Sequence, residues 1–194
     1  MIYKTQGIII KKTDLAEADR LLTIYTKNLG KILVKAKAIK KTQAKLKGHL
    51  ELFIHSHLML AQGRNMDIIT SAETIESFPN LHQSLPALAN AYYFAELIDK
   101  LIAGPEKDQR IWDLVLLSFQ RLDNRKDRGQ PPIKKGGSPL FFQVIDFENK
   151  LLEFLGYDLA SQPAKQEPLS FIQSLLGEKI NSREFLQRTI FELR

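Results

Sequence analysis

The chain has 194 residues, 44% of them hydrophobic and 26% charged, with a formal net charge of +6; that is enough apolar material for one large core or two small ones. It holds no cysteine, which removes disulfides, thiolate zinc sites, iron–sulfur clusters and cysteine nucleophiles. No stretch reaches the roughly 18 consecutive apolar residues of a membrane span, and the strand-like opening Ile2, Tyr3, Lys4, Thr5 is unlike an export signal, so a cytoplasmic protein is expected.

The charge is unevenly placed. All of the +6 excess falls in the first eighty residues, and the remainder is neutral. Lys27, Lys31, Lys35, Lys37, Lys40, Lys41, Lys45 and Lys47 follow one another with no acidic residue between them, the pattern of a surface that meets a polyanion. A solvated basic loop is the competing reading of the same composition.

In chain order, residues 2–12 are rich in β-branched side chains, residues 20–26 carry Leu22, Ile24 and Tyr25, and Asn28, Leu29 and Gly30 supply a turn. Residues 31–38 alternate, with Ile32, Val34, Ala36 and Ala38 to one side and Lys31, Lys35 and Lys37 to the other. That predicts a half-buried strand with a basic face. Leu50, Leu52, Ile54, Leu58 and Leu60 continue the period of two through a fourth strand, Gln62 to Asn65 make a turn, and residues 66–74 read as a fifth strand. Five short strands in so little chain suit a small closed barrel, because a flat sheet would leave its edges and one apolar face uncovered.

Beyond Pro79 the period becomes about 3.6. Ser84 is placed to cap a helix with the stripe Leu85, Leu88, Tyr92, Ala95, Ile98, Leu101 and Ile102, which Gly104 and Pro105 end. Asp108 caps a second, with Ile111, Leu114, Val115, Phe119 and Leu122 on one face. A loop rich in glycine, proline and basic residues spans 123–137. Ser138 and Pro139 start a helix carrying Phe141, Val144, Ile145, Leu151, Leu152 and Leu155, ended by Gly156, and shorter helices follow at 169–176 and 182–193. The expected class is α+β: an N-terminal five-stranded OB-fold β-barrel over residues 1–78, then an all-α helical domain over 79–194.

The opening Tyr3, Lys4, Thr5, Gln6, Gly7, Ile8, Ile9, Ile10, the run Glu17, Ala18, Asp19, Arg20, Leu21, Leu22, Thr23, Ile24, Tyr25, Thr26, and Leu29, Gly30, Lys31 resemble, in order and spacing, the start of the RecO family. Val34 to Ala38 with Lys40 and Lys41 is similar to that family's basic segment, and Leu46 to Phe53 with Gly63 and Arg64 falls where its next strand and turn stand. Downstream, Tyr92 to Leu97, Phe147 to Tyr157 and Ile180 to Leu186 are similar to its helical part. There are departures. Many relatives carry a four-cysteine zinc insertion after the glycine and tyrosine that end the long helix, whereas residues 160–166 here hold no cysteine, so no zinc or other cofactor is expected. A glycine usual at the basic strand's exit is Ala38, and an expected serine is Ala44, so the loop 39–47 is expected to differ. Residues 125–137 look like an insertion.

The resemblance implies a DNA repair and recombination mediator, not an enzyme. Such a protein binds single- and double-stranded DNA, anneals complementary strands, engages RecR and the single-strand binding protein, and assists RecA loading in the nucleoid-associated cytoplasm, with no membrane partner. The DNA-binding set expected is Lys35 and Lys37 on one strand face, Lys40, Lys41, Lys45 and Lys47 on the following loop, and Arg20 and Arg64 where closure brings them near. Tyr3, Tyr25 and Phe53 are candidates for base stacking, against the commoner role of core packing. The helical part would offer an apolar groove to a partner's tail, with Phe119 and Phe142 read as core.

Enzymatic readings find little support. There is no G-x-x-x-x-G-K-[ST] loop. His49, His55 and His57 are expected to face solvent rather than a metal, and Asp14, Glu17 and Asp19, which a magnesium nuclease would need, are explained by turn hydrogen bonding. An OB-fold module that reads structured RNA in translation, and an interaction protein whose basic face meets acidic partners, remain alternatives.

Overall fold

The computed structural model describes residues 1–15, 17–41, 45–124, 139–157 and 167–191. Five strands come first: β1 (Ile2–Asp14), β2 (Arg20–Thr26), β3 (Gly30–Ala36), β4 (His55–Ala61) and β5 (Ile68–Glu76), with a 3-10 turn, Lys47–Leu50, between β3 and β4. They close into a barrel in the order β1-β2-β3-β5-β4, antiparallel except at the seam between β3 and β5. β1 is long because it pairs twice: its first half runs against β4, from Ile2 opposite Ala61 to Ile8 opposite His55, and its second half against β2, from Gly7 opposite Thr26 to Asp14 opposite Arg20. A register shift between Ile9 and Lys11 bends the strand from one partner to the other. Gly7 lies in the overlap, where a Cβ would come within 2.5 Å of Ile24 Cγ2, so no larger residue fits without movement.

Ile9, Leu22, Ile24, Val34, Ala36, Leu58, Leu60, Ile69 and Ala72 fill the barrel, with Ile39 and Leu50 added from the connection between β3 and β4. Each such fully buried large side chain contributes roughly 1.5–3 kcal/mol of transfer free energy. The expected alternation holds along β3, with Val34 and Ala36 inside and Leu33 and Lys35 outside, but the strand stops at Ala36. Ala38 belongs to the following turn, with φ +53. The fourth strand also differs from expectation. Leu50 ends the 3-10 turn, Phe53 has φ +64, and β4 begins only at His55. The Phe53 amide donates to Ile9 O at 2.8 Å, which ties this irregular stretch to β1.

The first compact unit is Met1–Phe78 together with Ile102–Trp112. The returning segment passes over Gly30, whose φ of +68 and whose Cβ position, 2.1 Å from Glu106 O, both require glycine. Trp112 packs edge-on against the His55 ring at 5.5 Å. By register Tyr25, Ile8 and His55 form one row across β2, β1 and β4, and all three are buried. The Tyr25 hydroxyl and both His55 ring nitrogens have no hydrogen-bond partner among the described residues.

The second unit is Pro79–Leu101 with Asp113–Arg194. The helices are α1 (Pro79–His82), α2 (Leu85–Leu101), α3 (Gln109–Asp123), α4 (Pro139–Phe154), α5 (Pro168–Leu176) and α6 (Asn181–Phe191). Asp108 caps α3 as expected, its Oδ1 accepting from the Arg110 amide at 2.8 Å, and Ile111, Leu114, Val115, Phe119 and Leu122 are buried. Ser84 accepts from the Ala87 amide at 3.5 Å and precedes α2. The stripe expected on α2 is only partly right. Leu85 and Tyr92 are exposed, while Ala87, Ala89, Asn90, Ala91, Tyr93, Phe94 and Leu97 are buried, because alanines let several sides of the helix pack. Gly156, φ +89, follows α4 as expected. Glu96 of α2 accepts from the Asn181 and Ser182 amides at 2.9 and 2.7 Å and from the Ser182 hydroxyl at 2.5 Å, capping α6. Burial opposes the Glu96 charge, but the Ser182 hydroxyl and these amides hold its carboxyl below the ordinary range.

Among the described residues no helix is long and apolar enough to cross a membrane. Ala44, the loop 125–137, Ser138 and the segment 160–166 lie outside the described residues, as do the side chains of Phe141 and Phe142.

Two outcomes follow from this packing. Ala38 bears the cost of a left-handed backbone, so Ala38→Gly should raise stability by about 0.5–1 kcal/mol, read as a higher urea midpoint at unchanged slope. Burial, with the charges of His57 and Lys27, lowers the His55 pKa to about 4. The unfolded chain takes up this proton near pH 6.5 and the folded one does not, so stability should be full above that pH and fall as the pH drops toward 4, by about 3 kcal/mol at most. His55→Phe should flatten this part of the pH profile of urea unfolding; an unchanged slope would refute the assignment.

Candidate nucleic-acid interface

Three connections meet at one end of the barrel: the β1–β2 turn, the exit of β3 and the β4–β5 turn. The Lys35 amide donates to Asp67 O at 2.8 Å and pairs β3 with the start of β5, the Lys40 amide donates to Ala18 O at 3.1 Å, and the Tyr3 hydroxyl donates to the Asp67 carboxylate. Burial and the neighbouring Asp67 push the Tyr3 phenol up to about 12, so it stays a donor.

On this frame the basic side chains gather around two carboxylates. Asp14 accepts from Arg20 Nε at 2.9 Å and from Lys40 Nζ at 3.0 Å. Asp19 accepts from Lys35 Nζ at 2.7 Å and from the Ala38 amide at 2.8 Å. The hydrogen bonds from Lys40 and Arg20 hold the Asp14 carboxyl below the ordinary range, and those from Lys35 and Ala38, with the charge of Lys37, do the same for Asp19. Lys37 and Lys41 stand exposed on the turn beyond β3. Arg20, Lys35 and Lys40 thus pair with Asp14 and Asp19, and Lys37 and Lys41 add positive charge that no acid of the pair offsets. Arg64 is exposed on the β4–β5 turn, which closes onto β3 at Lys35.

Lys45 and Lys47 are exposed elsewhere. They lead into the 3-10 turn whose His49 Nδ1 accepts from the Thr74 amide at 3.2 Å, far along β5. Thr74 stands six positions along β5 from Ile68, while Glu51, just past the 3-10 turn, pairs with Lys12, two positions from Asp14. The structure joins Arg20, Lys35 and Lys40 through Asp14 and Asp19, with Lys37 and Lys41 on the adjoining turn, and among the described residues no ion pair ties Lys45 or Lys47 to them.

The histidines divide. His57 is exposed, but His49 is half-buried and hydrogen-bonded, and His55 is only 4% exposed, which corrects the expectation that all three face solvent. Among the described residues no group of three His, Asp or Glu side chains stands close enough to hold a metal ion. Tyr25 and Phe53 are fully buried and pack rather than stack on a ligand. The role of Asp14 and Asp19 as counter-charges escaped the sequence reading, because Lys35 and Lys40 meet them only after the turns fold back.

A closed five-stranded barrel in this order, with the β1–β2 and β4–β5 turns at one end, is an OB-fold barrel, here followed by a helical part. The family descriptions Recombination protein O N terminal and Recombination protein O C terminal match residues 1–78 and 82–162. The DNA repair protein RecO of Roseiflexus sp. (strain RS-1) is 36% identical over 156 residues, covering 80% of this chain and 50% of that protein. The one from Dehalococcoides mccartyi (strain ATCC BAA-2266 / KCTC 15142 / 195) is 42% identical over 122 residues, 63% of this chain and 48% of that protein. The RecO of Acaryochloris marina (strain MBIC 11017) is 40% identical over 122 residues, 63% and 42% of the two chains. The chain belongs to the Recombination protein O family, and it spans about half the length of these relatives.

Asp19 latches the β3 exit, so Asp19→Ala should lower the urea midpoint at neutral pH. The folded-state pKa of this carboxyl is depressed, so its contribution is present above the unfolded value and lost as the pH falls through the folded one. Wild type and variant should therefore converge in acid, and a gap that persists undiminished there would contradict the latch.

Proposed function

We propose that this chain is a DNA-binding recombination and repair protein that holds sugar-phosphate backbones on the basic end of its barrel. It acts on single- and double-stranded DNA, anneals complementary strands, and helps RecA replace the single-strand binding protein in concert with RecR. The observation that carries the reading is the convergence of Arg20, Lys35, Lys37, Lys40 and Lys41 at one end of an OB-fold barrel in a RecO chain.

Lysines that neutralise phosphates release counterions, so affinity comes without base reading and falls steeply with salt. Arg20, Lys35 and Lys40 are already paired with carboxylates. A phosphate must exchange with Asp14 or Asp19 to gain them, whereas Lys37 and Lys41 meet DNA directly. Shielding two backbones at once lowers the repulsion that opposes pairing, which requires no covalent step. Arg64 extends this surface along the β4–β5 turn, and Lys45 and Lys47 form an outlying contact for a longer strand.

Oligonucleotide binding across a salt series tests the reading. Replacing Lys35, Lys37, Lys40 and Lys41 by alanine should weaken binding at least tenfold near 50 mM salt and reduce the slope of log affinity against log salt by roughly 2 to 3. The milder pair Lys37→Ala and Lys41→Ala, which leaves both ion-pair latches in place, should show part of both effects. Unchanged binding in a folded quadruple variant, or a clear preference for structured RNA, would overturn the proposal.

A further inference from the structure

β1, β4, β5 and the β2–β3 turn line a groove of about 550 Å³ that begins at Lys4, next to Tyr3, and runs to the β2–β3 turn. Its wall is two cross-strand rows, Gln6–His57–Glu73 and Lys4–Met59–Ser71, set by strand register. The Lys27 amide donates to Gln6 O at 2.9 Å, which places Lys27 and Asn28 at the rim. The side chains of Lys4, Gln6, Lys27, Asn28, His57 and Ser71 make no hydrogen bond or ion pair with any described residue. That sets them apart from Arg20, Lys35 and Lys40, which are already held by acids.

We infer that this groove is a second track for a single polynucleotide strand, distinct from the basic end. Its chemistry is two ammonium groups for phosphates, amide, imidazole and hydroxyl groups for base edges and sugars, and the Met59 thioether as an apolar contact. Glu73 leaves a net excess of one positive charge, so the track holds a strand weakly and suits a flexible single strand rather than a rigid duplex. Its position gives the weak site a use. One end, at Ser71, stands three positions along β5 from Ile68, beside Lys35, while the far rim at Lys27 lies beyond Thr26, roughly 20 Å along β2 from Arg20. A second strand held at that distance from the first pairs with it as if at millimolar concentration. The inference rests on DNA binding at the basic end and adds where the complementary strand is carried.

The absence of cysteine makes the test direct. Asn28→Cys, at the far rim, introduces the only thiol, and an oligonucleotide bearing a thiol-reactive group on its backbone should cross-link to it. Leu117→Cys, an exposed position on α3, serves as the control. The expected result is cross-linking at least fivefold above the control, competed by unmodified oligonucleotide and not by an acidic peptide. In parallel, Lys4→Ala with Lys27→Ala should slow annealing at least fivefold while first-strand affinity stays within twofold. Cross-linking at the control level, competition by the acidic peptide, or wild-type annealing in the double variant would each overturn the track. Loss of first-strand affinity in the double variant would overturn its separateness. If the quadruple lysine variant binds DNA normally while Asn28→Cys still cross-links, it is the basic-end reading that fails.

Discussion

Closure of the barrel between β3 and β5 depends on one parallel pairing at Lys35, whose amide donates to Asp67 O. Everything at the basic end is arranged by that contact. The same residue sends its ammonium group to Asp19, so a single position joins the seam to the β1–β2 turn. β1 makes this possible, because its bend past Ile9 lets one strand serve both β4 and β2 and carries Asp14 to the place where β3 leaves the barrel.

The electrostatic consequence is a surface of partly satisfied cations. Lysines clustered without acids repel one another, and the carboxylates of Asp14 and Asp19 relieve that repulsion while the protein is free. On the proposed reading, phosphate oxygens take the places of these carboxylates, so the surface exchanges one set of anions for another. Of the two, Asp14 is the more exposed, so its pairs with Arg20 and Lys40 contribute little to folding, whereas Asp19 also holds the Ala38 amide.

In the helical unit several polar groups are committed to structure. Glu96 caps α6 from α2. In the helical unit the Tyr93 hydroxyl donates to the buried Glu148 at 2.5 Å, with Arg183 3.8 Å from the same carboxylate oxygen. Burial raises the Glu148 pKa against the pull of Tyr93 and Arg183. Tyr25 and His55 are exceptions on the barrel; the His55 ring packs on Trp112 with neither nitrogen engaged by a described residue, which makes its neutral form a condition of that packing.

Local pattern settled a good deal here. Period two in β3 with Val34 and Ala36 inward, the caps at Ser84 and Asp108, the apolar face of α3 and the stop at Gly156 were all legible, because each depends on neighbours within a few residues. The identity of the basic segment was legible for the same reason. The strand boundary at Ala36, the irregular stretch before His55, the burial of His55 and the commitment of Asp14 and Asp19 to Arg20, Lys40 and Lys35 were not. Those depend on which distant strands become neighbours when the barrel closes, and on a returning segment, Ile102–Trp112, that covers a row no local period reveals. Side-chain chemistry is written residue by residue, but its grouping in space follows from register and closure, which are properties of the whole chain.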